Sequence, residues 1–259
     1  MHPKVKKAVR TAQTFAGPLV EAKAWGQRNL HRIRRRPSDP VYNAFAKFAL
    51  ADGQQFLDIG ANRGQTIDSF RLYHPEIQVI AFEPNATLAS RLAKQYCSDK
   101  NVLIHTFGLG REPGRFELFV PYYRGFMFDG LASFDWASAH DWLSDDKIYG
   151  FNKRHLKIER LECEVRRWDD VTTEPGLVKI DVQGHEASVL EGGIQTIRTH
   201  RPVLLLENSK DAEPEQLLFR EGYRSASYQR QFMKLDSTGD KDTFYIPEEK
   251  LESILRLFP

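Results

Sequence analysis

Residues 56–66 read FLDIGANRGQT. Phe56-Leu57-Asp58-Ile59 has strand character and runs into a turn that carries Gly60 and Gly64, with Asn62 between them. Such a turn is either a tight connection into a helix or a cradle whose backbone N–H groups come close to a ligand, because glycine sheds its side chain. The loop alone leaves both readings open. Its surroundings decide between them.

Working outward, Val41 to Leu50 places Phe45, Phe48, Ala49 and Leu50 at helical spacing, so a helix is predicted before the first strand. Gln55–Ile59 is that strand, and residues 64–73 are the helix after its turn. Residues 77–82 read as a second buried strand ending at Glu83. Asn85 is placed to cap a helix that runs to about Gln95. Strands follow at 101–107, 116–120, 161–168, 177–182 and 202–207, with helices near 187–190 and 194–199. A helix at 213–221, strands at 222–229 and 243–246, and a closing helix at 248–257 complete the pattern. Strands alternating with helices argue an α/β protein, a doubly wound and mainly parallel Rossmann-like sheet of seven strands. The last two strands, joined by a turn at 237–240, form its antiparallel edge. Residues 121–160 hold nine aromatic side chains without a clean period, from Tyr122 and Tyr123 to Phe151. This insertion is either a lid over a site or a small core under a loop.

The 259 residues are 41% hydrophobic, enough for a sizeable core. No apolar run approaches the roughly 20 residues of a membrane span. Cys97 and Cys163 lie far apart, without metal-ligand or disulfide spacing, so a reducing cytoplasm is the expected compartment. Of the 37 basic residues, 10 lie in 1–36, against one of the 35 acidic ones, leaving 27 basic and 34 acidic beyond, a net of −7. A basic arm (1–38) thus precedes an acidic body (39–259). No apolar segment follows the early lysines, so the arm does not read as a secretory signal. It is either a solvated, partly helical tail or a contact for an anionic membrane. The acidic body argues against nucleic acid as a partner.

In a doubly wound sheet, ligands sit beyond the carboxyl ends of the strands. Asp58, Gly60, Asn62 and Gly64 come first to that edge, then Glu83 at the end of the second strand. Glu83 is either an acceptor for a ribose diol or an acid favoured at a helix start. Gly108 and Leu109 follow the third strand, where small residues leave a slot for a flat base. Asp181-Val182-Gln183-Gly184-His185-Glu186 is the fourth contribution. The Gly-x-Gly-x-x-Gly of a dinucleotide site is absent, which disfavours a nicotinamide oxidoreductase. A carboxylate just before the turn repels a pyrophosphate and welcomes a cation. S-adenosylmethionine, with its sulfonium, ammonium, ribose and adenine, matches this set.

Taken in order, FLDIGANRGQT, AFEPNATL, VKIDVQGHEASVLEGG and RPVLLLEN resemble the motifs of the FkbM-type S-adenosylmethionine-dependent methyltransferases over roughly residues 41–247. The resemblance implies a class I methyltransferase fold and transfer to a hydroxyl of a sugar, glycan or natural product. It implies that Asp58, Gly60, Asn62 and Gly64 cradle the methionine part, that Glu83 meets the ribose, and that Lys179–Glu186 lies beside the reactive methyl. The family pattern often has Glu where this chain has Gln183, and no acid–base role is given to that residue. The arm and the aromatic insertion fall outside the resemblance.

Methyl transfer to an alcohol needs alignment and removal of one proton. Asp181, His185 and Glu186 are the candidate bases. Each also has a plainer reading: a turn cap for Asp181, a capping or surface residue for His185, and an anchor for backbone N–H groups for Glu186. Glu207 ends the next strand and joins the acidic group, which opens a variant with a hard cation; no metal ligand is assigned. Lys179 is read as an ion-pair partner of Asp181. A non-catalytic, methyltransferase-shaped binding module is the alternative to an enzyme.

Overall fold

The computed structural model describes residues 3–15, 36–209 and 211–258. Most of the basic arm's arginines and Lys23 fall in 16–35 and lie outside the described residues. Contacts divide the chain into two units, one of residues 1–33 with 116–162 and one of residues 34–115 with 163–259.

The larger unit is built on strands β1 (Gln55–Ile59), β2 (Val79–Phe82) and β3 (Val102–His105), joined by helices α2 (Gln65–Arg71) and α3 (Ala86–Gln95). A short β4 (Gly108–Gly110) follows β3. The chain returns through β7 (Leu156–Arg167) to β8 (Pro175–Ile180), α5 (Glu186–Gly192), α6 (Ile194–His200), β9 (Val203–Glu207) and α7 (Glu213–Arg220). It ends with β10 (Tyr223–Gln229), β11 (Phe232–Leu235), β12 (Asp242–Pro247) and α8 (Leu251–Leu255).

The main sheet has the order β11-β10-β12-β9-β8-β1-β2-β3. It therefore has eight strands, not the expected seven. From β9 to β3 every neighbouring pair is parallel. The antiparallel part comprises β11, β10 and β12, and β12 is not an edge strand, because it pairs with β9 on its other side. The unforeseen strand, β11, is joined to β10 through Arg230 and Gln231, whose φ values of 51° and 73° give a two-residue left-handed hairpin turn. Such turns usually announce themselves by Asn or Gly.

Both faces of the parallel part are covered, so the strands read as continuous apolar runs. Successive side chains alternate between two cores. Phe56, Val79, Ala81, Leu177 and Leu205 enter one with Phe45, Phe70 and Phe244. Leu57, Ile59, Ile80, Phe82, Val178, Ile180, Leu204 and Leu206 enter the other with Trp168. Phe56 and Phe70 stack at 4.1 Å. The segment before β1 is a 3-10 helix (Pro40–Lys47), which buries Tyr42, Ala44 and Phe45. Strand order reverses direction at β1, with β2 and β3 on one side and β8 and β9 on the other, which puts a crevice beyond the carboxyl ends of β1 and β8.

The smaller unit contains helix α1 (Pro3–Phe15), the hairpin of β5 (Gly114–Tyr123) with β6 (Phe126–Met127), and helix α4 (Trp136–Asp141). Its aromatic residues close around a core of their own, with Tyr123, Phe128, Leu143 and Ile148 buried and Phe126, Trp142 and Phe151 against them. Helix α1 is fixed to this core through its cations: Lys7 lies 4.4 Å over the Tyr149 ring and Arg10 lies 4.7 Å over Trp142. The Tyr149 N–H donates to Thr11 Oγ1 at 2.9 Å. In return, Arg124 lies 4.4 Å over Phe15.

Each exposed cation–π contact contributes about 0.5–1 kcal/mol. Replacing Lys7 and Arg10 together by Ala should therefore speed amide exchange in residues 142–149 and leave exchange in β1 and β8 untouched. Unchanged exchange in 142–149 would show that α1 is not what steadies this segment.

Candidate active site

The turn after β1 owes its shape to contacts inside the protein. Gly60 has φ 85°, and a Cβ there would lie 1.9 Å from the Asp181 carbonyl oxygen. The N–H groups of Gly60 and Ala61 both donate to the Phe82 carbonyl. Gly64 (φ 79°) leaves room for the Tyr96 hydroxyl, which a Cβ would meet at 2.8 Å. Asn62, at φ 49°, takes the left-handed conformation that Asn tolerates well. The glycines thus let β1, β8 and α3 crowd together.

Glu83 is 5% exposed. One of its oxygens accepts from the Asn62 N–H at 2.7 Å and the other from the Asn85 N–H at 2.9 Å. It ties the turn after β1 to the cap of α3, where Asn85 Oδ1 accepts from Thr87 and Leu88. Asp58 is 1% exposed, and its Oδ2 is buried with no hydrogen-bond partner. Burial pushes its carboxyl from 3.8 up to about 7, with the charges of Asp181 and Glu83 adding and Lys179 opposing. Asn62 Oδ1 is also buried without a partner. A buried carboxylate oxygen and a buried amide oxygen at one turn are acceptors suited to a cationic, N–H-bearing ligand.

Gly108 and Leu109, expected beside a flat base, follow β3 in a short strand. They belong to β4, parallel to the end of β7, and Leu109 packs with Phe107 and Trp168 in the core. A side chain on Gly108 would meet Pro84 and Val165 at 3.5 Å, which is ordinary contact.

The segment after β8 is held at several points. The Asp181 N–H donates to the Ile59 carbonyl, joining it to β1. Glu186 is buried, and its Oε1 accepts from the N–H groups of Val182 and Gly184, each at 3.2 Å. That carboxylate braces the turn. His185 is half-buried at the start of α5 and makes no capping bond to that helix. Gln183, with φ 53°, donates from Nε2 to Asp181 Oδ1 at 2.8 Å and to Glu207 Oε2 at 2.7 Å. Asp181 and Glu207 end the adjacent strands β8 and β9. Burial raises both carboxyls. At Asp181, the Lys179 ammonium and the hydrogen bonds from Glu207 and Gln183 outweigh burial and hold the group below its ordinary value. Glu207, with burial and the Asp181 charge against it, is pushed from 4.5 up to about 8. The two neighbouring carboxyls are thus driven apart, Asp181 toward its ionised form and Glu207 toward its protonated one.

Beneath the pair, Lys179 is 1% exposed and forms the expected ion pair with Asp181 at 3.7 Å, together with a shorter one, 2.8 Å, to Asp242. Its ammonium also donates to the Ile180 carbonyl. Asp242 comes from β12, opposite Glu207 across the antiparallel ladder. It was not legible beforehand, since nothing in its own stretch of sequence says that this strand pairs with β9.

Among known proteins, a family model for the methyltransferase FkbM domain matches residues 58–237. The chain belongs to this methyltransferase family. It is 33% identical over 165 residues to the AMB antimetabolite synthetase AmbE of Pseudomonas aeruginosa, a match that covers 52% of the chain and 7% of that protein. Among solved structures it is similar to an FkbM methyltransferase from Methylobacillus flagellatus (TM-score 0.48, 17% identity, 76% of this chain and 44% of that one). It is also similar to Aeropyrum pernix fibrillarin with bound S-adenosyl-L-methionine (TM-score 0.39, 12% identity, 79% and 76%).

The site charges predict a stability profile. An acid whose folded pKa is raised stabilises the fold below its unfolded value and loses that contribution as pH climbs through the folded one. For Asp58 the window runs from 3.8 to about 7, and for Glu207 from 4.5 to about 8. Unfolding free energy of the ligand-free protein should therefore fall between about pH 4 and 8, and less steeply in Asp58→Asn. A variant curve parallel to the wild type in denaturant titrations would mean that Asp58 is already ionised in the fold.

Proposed function

We propose that the protein transfers the methyl group of S-adenosylmethionine to a hydroxyl, with Asp181 taking the proton as the oxygen attacks. The observation that carries this reading is the pairing, at one sheet edge, of two differently poised acidic centres. Asp58 offers a buried, unpartnered oxygen, and the Asp181–Glu207 pair keeps an ionised carboxylate beside a protonated one. In this reading Asp58 and Asn62 receive the cofactor's ammonium end, and Glu83 faces the ribose while it braces the turn. The cofactor supplies an electrophilic methyl on a sulfonium. The protein aligns the acceptor, excludes water and holds the base.

The preference for oxygen follows from the base. A hydroxyl is a poor nucleophile until its proton is removed, whereas a neutral amine attacks without that help. His185 stands as the second candidate base, and Glu186 serves as the brace of the turn. Sugars and glycans are the first acceptor class. The partial identity to an antimetabolite synthetase favours, as a second reading, a hydroxyl on a small natural product.

Calorimetry with S-adenosylmethionine, S-adenosylhomocysteine and NAD tests the cofactor, and binding of NAD alone would sink it. Transfer of a labelled methyl group to a panel of sugars, glycans and hydroxylated small molecules tests the acceptor. General-base assistance contributes about 10²–10⁴-fold, so Asp181→Asn should lower kcat by that order and leave cofactor affinity intact. Full kcat in Asp181→Asn, with loss in His185→Ala, would move the base to His185.

A further inference from the structure

Gln183 stands out because its amide has no charge and yet binds both members of the acidic pair. It sits in the left-handed turn between β8 and α5. One nitrogen, Nε2, carries two hydrogens and has two acceptors within 2.8 Å, Asp181 Oδ1 and Glu207 Oε2. The two carboxyls also act on each other directly, each shifting the other's titration. The Gln183 amide nitrogen thus bridges the two carboxyl groups, with both of its hydrogens engaged.

We infer that Gln183 is a positioning residue that clamps Asp181 and Glu207 into a single acid–base unit and fixes Asp181 as the arm that receives the acceptor's proton. This inference rests on the methyl-transfer reading for its catalytic half. Two carboxylates this close cannot both be ionised cheaply. An amide fits between them because it donates to both and needs no proton of its own. A carboxylate in its place would set a third acceptor against two others and would call for another proton or a cation.

The groups that face the pair are Lys179 on β8, Asp58 on β1, Asp242 on β12 and Lys241 just before it. None of them bridges the two carboxylates. Lys179 approaches Asp181 from 3.7 Å and is engaged at 2.8 Å with Asp242. Among the described residues, Gln183 is thus the side chain that bridges the two carboxyls.

In the proposed chemistry, the acceptor's oxygen forms a bond to the methyl carbon as the carbon–sulfur bond breaks. The sulfur keeps that electron pair and leaves as the neutral thioether, S-adenosylhomocysteine. The acceptor's proton passes to Asp181, and the pair then holds two protons until one returns to water. Gln183 keeps its N–H bonds to the pair throughout.

The test uses the full chain with Gln183→Met, which keeps length and volume and removes both donors. Gln183→Asn serves as a second variant, since Asn tolerates the left-handed backbone but is one methylene too short to reach both acceptors. Carbon-13 labels on the carboxyl carbons of Asp and Glu are titrated by NMR in the ligand-free protein. Loss of the donated N–H bonds should raise the pH at which Asp181 ionises, by about one unit. With an acceptor in hand, kcat should fall about tenfold or more with little change in KM, and the acidic limb of the pH–rate profile should move upward. Cofactor affinity should stay the same.

Unaltered carboxyl titrations in both variants would overturn the proposal. A shifted titration with kcat and pH profile unchanged would overturn its catalytic half. The titration needs neither cofactor nor acceptor, so a shifted titration in a protein that methylates nothing would count against the methyl-transfer reading while the clamp stands.

Discussion

The ammonium of Lys179, fully enclosed beneath the sheet edge, lies in the field of four carboxylates: Asp58, Asp181, Glu207 and Asp242. Taking an ion out of water costs several kcal/mol, and removing one partner of a buried pair typically costs about 3–5 kcal/mol. Lys179 is therefore poor evidence of stability and good evidence of charge balance. Without it, burial would press Asp181 toward its protonated form, opposed only by the hydrogen bonds from Glu207 and Gln183. With it, Asp181 is ionised, and the repulsion is passed to Glu207 and Asp58, which hold their protons toward neutral pH. One cation thus sets different states on chemically similar side chains.

Much of this architecture was legible along the chain because the parallel strands are covered on both faces. Runs such as Val79–Phe82 and Val203–Leu206 admit few other readings. The turn after β1 was legible as special, but its cause was not. Gly60 is glycine because the Asp181 carbonyl stands where a side chain would go, a contact that only the β1–β8 pairing creates. The segment at 40–47 shows the same limit: apolar spacing of three and four suits a 3-10 turn as well as an α-helix, and only packing distinguished them. Strand β11 escaped because Arg230 and Gln231 make a turn that local preference assigns to other residues.

The site divides in a similar way. Residues that end consecutive parallel strands, such as Asp58, Glu83, Asp181 and Glu207, can be found by counting strands, since topology delivers strand ends to one edge. Their states cannot be found so. Glu186 and Glu83 spend their oxygens on backbone N–H groups, and Asp181 and Glu207 spend theirs on Gln183. Four acids of one chemical type thereby take up different work. The hydrogen bonds that separate them join residues from different elements.

The placement of Asp242 on β12 bears on how the molecule comes together. Strands β8 and β9 can pair as soon as residues 175–207 are available, yet the ammonium they enclose has its short contact on a strand that follows two more antiparallel strands in the chain. During synthesis, a chain that has emerged only as far as β11 has Asp181 at 3.7 Å from the lysine but lacks the 2.8 Å partner on β12. Burying Lys179 in the parallel core is then less well compensated until β12 pairs with β9. The pairing of β12 with β9 thus brings the enclosed ammonium its short counter-charge contact from the far end of the chain.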